Sequence, residues 1–300
     1  MQNLKKHLKD MRPSLSDGSI ATYASILGSL YKKVFGATTD FDLHNFQEAN
    51  KILDYLKDVS PNKRKTVLSA LVVVTGGMDV YRHQMLEDIG EYKKNIAQQE
   101  MSPAQQASWL KPDEIHDQYA KCRADADLLY KTCSKNMPMN AKQIIQNYVL
   151  LAVLGGIFIP PRRSLDWTDF KIRNIHPDED NYLDLNNNRL IFNRYKTAKT
   201  YGQQSEICPP ALKQILIKFV SVDPSREYLF FDSNGEKLTS SKLHQRFVAI
   251  FGKNASVNNL RHSYLTERFG QTILQNQVIA NTMKSMGSSP AQLVTYVKKE

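Results

Sequence analysis

The side chains of this sequence best suited to chemistry are cationic and phenolic, and they occur in a definite order. Arg162 and Arg163 stand in Ile159-Pro160-Pro161-Arg162-Arg163-Ser164. Lys196 and Lys199 follow in Tyr195-Lys196-Thr197-Ala198-Lys199-Thr200. Arg261 lies in Asn258-Asn259-Leu260-Arg261-His262-Ser263-Tyr264, and Tyr296 comes after Met286-Gly287-Ser288-Ser289. Such an inventory suits an anionic partner. Taken singly, each residue also has an ordinary reading. An Arg pair at a helix start is a surface feature, hairpin lysines are solvated tips, an Arg-His pair packs helices, and a late Tyr is a half-buried aromatic. Their order and spacing carry the functional weight.

Other chemistries lack their residues. There is no phosphate-cradling GxxxxGK[ST], no GxGxxG after a strand, no HExxH and no GxSxG. No Asp/Glu cluster has the arrangement that two-metal nucleases and polymerases need, so no metal or cofactor is expected. Cys122, Cys133 and Cys208 are too few and too scattered for a disulfide framework, and none sits in a CxxC. That usage suits a reducing, intracellular compartment. The longest apolar run, residues 149–159, is too short to span a bilayer and reads as a buried helix. The first ten residues are charged and polar, unlike a signal peptide.

The chain has 300 residues and a formal net charge of +10, from 40 Lys+Arg against 30 Asp+Glu. The length suggests two domains, and 41% hydrophobic residues argue against global disorder. Residues 1–100 carry a net charge of +2 and residues 189–300 one of +9. The excess therefore sits in the stretch that holds Lys196, Arg261 and Tyr296.

The elements that must position these residues can be read in outline. Residues 1–98 predict a helical bundle. Ser16 caps a helix with Ile20, Tyr23, Ile26, Leu27, Leu30, Tyr31 and Val34 on one face, ended by Gly36. Further helices are expected at 42–56, after Ser60-Pro61, and at 79–98. Lys63, Arg64 and Lys65 occupy the first turn of the third. The polar stretch 99–112 reads as a linker. Residues 113–300 predict helices near 113–134 and 140–155, then a hairpin around Asn186-Asn187-Asn188, a strand at 205–208 and an edge strand at 229–231. Helices at 240–251, 257–269 and 273–285 and a last short one to Lys298 complete it. The expectation is a mainly α chain with a small antiparallel sheet, an α+β second domain.

In that order the residues resemble the tyrosine recombinase/integrase family, across nearly the whole chain. Asn258-x-Leu260-Arg261-His262-Ser263-Tyr264 is similar to the family's His-x-Leu-Arg-His box. Met286-Gly287-Ser288-Ser289 followed by Tyr296 is similar to its Gly-His-Ser box and nucleophilic tyrosine. Lys196-Thr197 is similar to its hairpin lysine, and Pro160-Pro161-Arg162-Arg163 occupies the place of its first arginine. The likeness is greater to divergent members from large DNA viruses and eukaryotic mobile elements than to bacterial ones.

The resemblance implies a helical DNA-clasping domain followed by a catalytic domain that cleaves and rejoins DNA through a 3′-phosphotyrosine. Arg163 and Arg261 would hold the phosphate oxygens, with Arg162 the alternate for the first. Lys196, or alternatively Lys199, would protonate the leaving 5′-oxygen, and Tyr296 would attack phosphorus. Asn258 and Ser288 stand where the family has His and His or Trp, which leaves phosphate hydrogen bonds but no proton shuttle there. Lys63, Arg64 and Lys65 would line one side of a DNA clamp. The implied partners are double-stranded DNA and further copies of the chain, a tetramer on DNA, with no membrane and no small-molecule substrate. Four residues follow Tyr296, so either the oligomer contacts differ from the family's or the chain is truncated. A type IB topoisomerase-like relaxing enzyme and a binding protein that has lost catalysis share this resemblance. The replacements at Asn258 and Ser288 motivate the second of these.

Overall fold

The computed structural model describes residues 2–36, 41–133 and 137–297. It divides into two compact units, Met1–Met101 and Ser102–Glu300.

In the first unit, helix α1 spans Gln2–Met11 and α2 spans Asp17–Phe35. Ser16 caps α2 by accepting from the Ser19 N–H at 3.2 Å, and the helix stops at Gly36, whose φ is 99°. Ile20, Ala24, Leu27, Leu30 and Tyr31 are its buried stripe. The helix expected over 42–56 is broken. A 3-10 turn at Leu43–Gln47 precedes α3 (Ala49–Leu56), because Glu48 leaves helical geometry at ψ 64°. Helix α4 (Pro61–Val74) and α5 (Asp79–Ala97) form a hairpin across Gly76-Gly77, both at positive φ. Tyr81 is fully buried, and its hydroxyl donates to the Phe46 carbonyl at 2.9 Å.

The second unit begins within the stretch expected to be linker. Helix α6 (Pro103–Ser108) is closed by a capping box between Ser102 and Gln105. Leu110 then plugs the core of this unit with no exposure. A run rich in Gln and Ser reads as linker by composition, yet hydrogen bonds from Asn259 to the Ser108 hydroxyl, from Lys253 to the Trp109 carbonyl and from Ser263 to the Leu110 carbonyl join the cap and the buried leucine in tying it to this unit. Helices α7 (Pro112–Thr132) and α8 (Met139–Leu154) follow, residue 134 lying outside the described residues. Residues 149–154 of α8 are wholly buried, the central helix expected from the apolar run. After the one-turn helix α9 (Leu165–Thr168) comes the sheet: β1 (Phe170–Lys171), β2 (Asn181–Asp184), β3 (Arg189–Phe192) and, across the short helix α10 (Ala198–Tyr201), β4 (Gln204–Ile207).

The sheet order is β1-β2-β3-β4. Both β2–β3, across the Asn-rich turn, and β3–β4 are antiparallel. The expectation of a purely antiparallel sheet is corrected at one edge: β1 pairs parallel to β2, Phe170 opposite Asn181. The residues expected as an edge strand, 229–231, form no strand. The segment instead touches the outer edge of β1, through an antiparallel bridge of Tyr228 to Lys171 and the Leu229 N–H to the Phe170 carbonyl, and Phe231 forms an isolated bridge with Lys237. Helices α11 (Pro210–Val222), α12 (Ser240–Phe251) and α13 (Val257–Ser285) follow. The two helices expected over 257–285 are one. Gly270 does not stop α13, since a helical glycine costs only about 1 kcal/mol. A 3-10 turn, Pro290–Gln292, leads to α14 (Leu293–Tyr296).

Candidate active site

The arginine pair is held by a close backbone approach. Helix α8 ends at Leu154, and Gly156 follows at φ +76°. A Cβ on Gly156 would lie 2.6 Å from the Tyr264 ring of α13, so only glycine lets this turn sit against the Arg261 helix. Ile159 and Pro161 are buried, and a buried proline leaves no amide donor stranded. The chain then turns through Arg162 and Arg163 into α9.

The two arginines have different surroundings. Arg162 Nε donates to Asp166 Oδ2 at 3.1 Å, and Nη1 donates to Gln204 Oε1 at 2.9 Å. Its guanidinium carbon lies 3.9 Å from the Phe192 ring centroid and 5.1 Å from that of Tyr195. Arg162 is therefore tied to α9 and to the β3–β4 hairpin. The half-buried Arg163 side chain makes no hydrogen bond or ion pair to any described residue. Its donors are free for an outside anion.

Arg261 lies in the first turns of α13. Ser256 caps that helix by accepting from the Asn259 N–H at 3.3 Å. Arg261 Nη1 makes a long 3.4 Å bond to Asn258 Oδ1, and Asn258 Nδ2 is 3.3 Å from His262 Nε2. Burial lowers the Arg261 pKa, and the like charges of Arg163 and Arg162 lower it further, against the pull of Asp166. The guanidiniums of one turn and one helix thus share a region in which they repel. An anion held between them would relieve that repulsion. Asp166 offsets part of it. Burial raises its carboxyl above the usual range although Arg162 and Arg163 pull it down.

Lys196 and Lys199 are exposed in the β3–β4 connection, beside the Tyr195 ring that faces Arg162. The Tyr195 hydroxyl donates to the Gly202 carbonyl at 2.7 Å and closes this loop. The Ser288 hydroxyl bonds to Gln292 Oε1 at 2.8 Å, within the turn that joins α13 to the final helix. Tyr296 sits on α14 at 60% exposure, and its hydroxyl bonds to no described residue. No bond links it to the arginines.

In the first unit the basic turn divides. Lys63 is exposed. Arg64 does not face solvent as a free cation: Nη2 and Nε donate to the two oxygens of buried Asp88 at 2.7 and 2.9 Å. Lys65 places its ammonium 2.9 Å from the Tyr92 ring centroid. Arg64 and Lys65 thus help hold α4 against α5, while the Lys63 side chain bonds to no described residue.

The sequence reading missed Asp166, Gln204 and Gly156. The first carried a signal, being four residues after Arg162. Among the described residues, no group of three or more His, Cys, Asp or Glu side chains is placed to hold a metal ion, and no helix is long and apolar enough to cross a membrane.

No protein-family model and no curated protein matches the chain. Solved structures do. The chain is similar to XerA recombinase, at 12% identity and a TM-score of 0.36, over 89% of this chain and 83% of that one. It is similar to the Tn1549 transposon integrase in complex with circular intermediate DNA, at 12% identity and a TM-score of 0.43, over 90% and 86%. It is also similar to XerH site-specific recombinase bound to its difH substrate in a pre-cleavage complex, at 18% identity and a TM-score of 0.38, over 89% and 85%.

Proposed function

We propose that this chain is a tyrosine-type DNA strand transferase, a site-specific recombinase or integrase. The observation that carries the reading is the half-buried Arg163 side chain, which bonds to no described residue while the adjacent Arg162 is held by Asp166 and Gln204; the lowering of the Arg261 pKa by burial and by the charge of Arg163 supports it. Two guanidiniums can each offer parallel donors to the non-bridging oxygens of one phosphate, where charge builds in the transition state.

In the proposed reaction the Tyr296 oxygen, having lost its proton to solvent, attacks phosphorus. The bond from phosphorus to the 5′-oxygen breaks, and that oxygen takes a proton from Lys196. Lys199 is the alternate donor. Asn258 and Ser288 add hydrogen bonds to the phosphate. The 3′-phosphotyrosine conserves one ester bond for each one broken, so the step runs backward onto a new 5′-hydroxyl with no added energy source. Tyr296 is exposed and its hydroxyl bonds to no described residue, so in this reading bound DNA presents one phosphate to it and to the arginines together. Affinity rests on phosphate contacts by Lys63 and by the basic residues of 189–300, and weakens steeply with salt.

The test is covalent capture. The chain is incubated with nicked duplexes of randomised sequence, and a DNA adduct that survives denaturation is sequenced. A recurrent captured site supports the reading. Tight, salt-sensitive binding without any adduct favours a binding protein of this fold. Relaxation of supercoiled plasmid without a defined site favours the topoisomerase-like activity.

A further inference from the structure

Asn181, the first residue of β2, is 2% exposed and uses its whole amide. Nδ2 donates to the Asp166 carbonyl at 2.9 Å and to the Arg194 carbonyl at 2.7 Å. Oδ1 accepts from the Asn193 and Arg194 backbone N–H groups, both at 2.8 Å. Two donors and two acceptor sites are all that an amide has.

Those four bonds join two separate pieces of the site. The Asp166 carbonyl belongs to α9, the one-turn helix into which the Arg162-Arg163 turn leads. Residues 193–194 are the exit of β3, immediately before Tyr195-Lys196. The paired register of β2 with β3 stops at Tyr182 opposite Ile191. Beyond it a side chain, rather than a strand partner, holds the departing backbone. A second set of contacts pins the same exit from outside: Asn193 Nδ2 donates to the Pro177 and Asp180 carbonyls at 2.7 Å, and Arg194 Nη2 reaches Asp180 Oδ1 at 3.1 Å. The base of the loop is fixed while Lys196 itself stays exposed.

We propose that Asn181 is a positioning residue that sets the Lys196-bearing loop relative to the Arg163 turn, so that proton donor and phosphate-binding cation address the same phosphate. The inference rests on the strand-transfer reading above. Asp in its place keeps the shape and loses the donors. Ser keeps one donor but is too short to reach both segments.

The test compares two versions of the captured duplex, one with oxygen and one with sulfur at the 5′-bridging position. A thiolate leaves without a proton, so sulfur bypasses the general acid and leaves every other demand in place. Asn181→Asp and Asn181→Ser are expected to form adduct about 100-fold more slowly on the oxygen duplex, the scale of a misplaced catalytic group. On the sulfur duplex both should match the wild type within a few-fold, as Lys196→Ala should. Their affinity for uncleaved duplex should be unchanged. Equal slowing on both duplexes, or no slowing on either, overturns the inference. A wild-type chain that forms no adduct on either duplex overturns the strand-transfer reading instead, a result read before any variant is made.

Discussion

Arg162 Nε donates to Asp166 Oδ2 at 3.1 Å, with the carboxylate 2% exposed, while the adjacent Arg163 guanidinium bonds to no described residue. The two arginines should therefore respond differently to substitution. Arg163→Ala should leave stability within about 0.5 kcal/mol of wild type and cut adduct formation by about 10²–10³-fold. Arg162→Ala should destabilise the second unit by about 3 kcal/mol at neutral pH, because it strands a buried carboxylate. The Asp166 carboxyl is already raised by burial. Its cost to stability grows as pH rises through that raised value and is absent once the group is protonated. The Arg162→Ala defect should thus shrink toward acid. Urea midpoints of both variants across pH check this, and a defect that does not change with pH contradicts it.

Gly156 and Tyr264 make the approach between the arginine turn and α13. Gly156→Ala should destabilise by about 1–3 kcal/mol, through the positive φ and the contact with the ring. Adding Tyr264→Ala should recover part of the loss, and the coupling is measured with a double-mutant cycle. Strict additivity would show that the contact does not matter.

Two turn carboxylates should give acid sensitivity. The amide and backbone N–H of Asn187 hold Asp184 below the usual range. Lys242, with the Asn234 and Glu236 N–H groups, does the same for Asp232. Both pKa values are depressed on folding. The stability they contribute is therefore complete above the unfolded value of about 3.9 and is lost as pH falls through the folded values. Asp232→Asn should be less stable than wild type at neutral pH, and the gap should close in acid. A gap that persists at low pH contradicts the assignment.

In the first unit, Asp88→Ala should cost about 3 kcal/mol by leaving the half-buried Arg64 guanidinium without its carboxylate. Lys63→Ala should leave thermal unfolding unchanged while weakening DNA binding and reducing the steepness of its salt dependence by about one unit. Thermal scans and binding titrations over a salt series separate the two effects.

Local periodicity made several elements legible. The face of α2, the buried α8 and the β2–β3 hairpin each follow from the spacing or turn chemistry of a few adjacent residues. What was not legible depends on distant partners. Arg64 meets Asp88 from 24 residues away, so its basic run looked like a surface patch. A two-residue strand such as β1 shows no alternation, which hid the parallel pairing. Arg162 and Arg163 are neighbours in one turn, and only Asp166, Gln204 and the Phe192 ring decide which of them is tied down. The order Arg, Lys, Arg, Tyr was readable because it needs no geometry. The exposure of Tyr296 was not, because a one-turn helix has no periodicity from which a buried face can be read.

Covalent attachment through Tyr296 tests the central claim most directly. The wild-type chain and Tyr296→Phe are incubated with the captured nicked duplex, and the adduct is digested and its modified peptide sequenced by mass spectrometry. The account predicts a 3′-phosphate on Tyr296 in the wild type, and no adduct from Tyr296→Phe although it binds the duplex with the same affinity. An adduct on another residue, or one that persists in Tyr296→Phe, would contradict it.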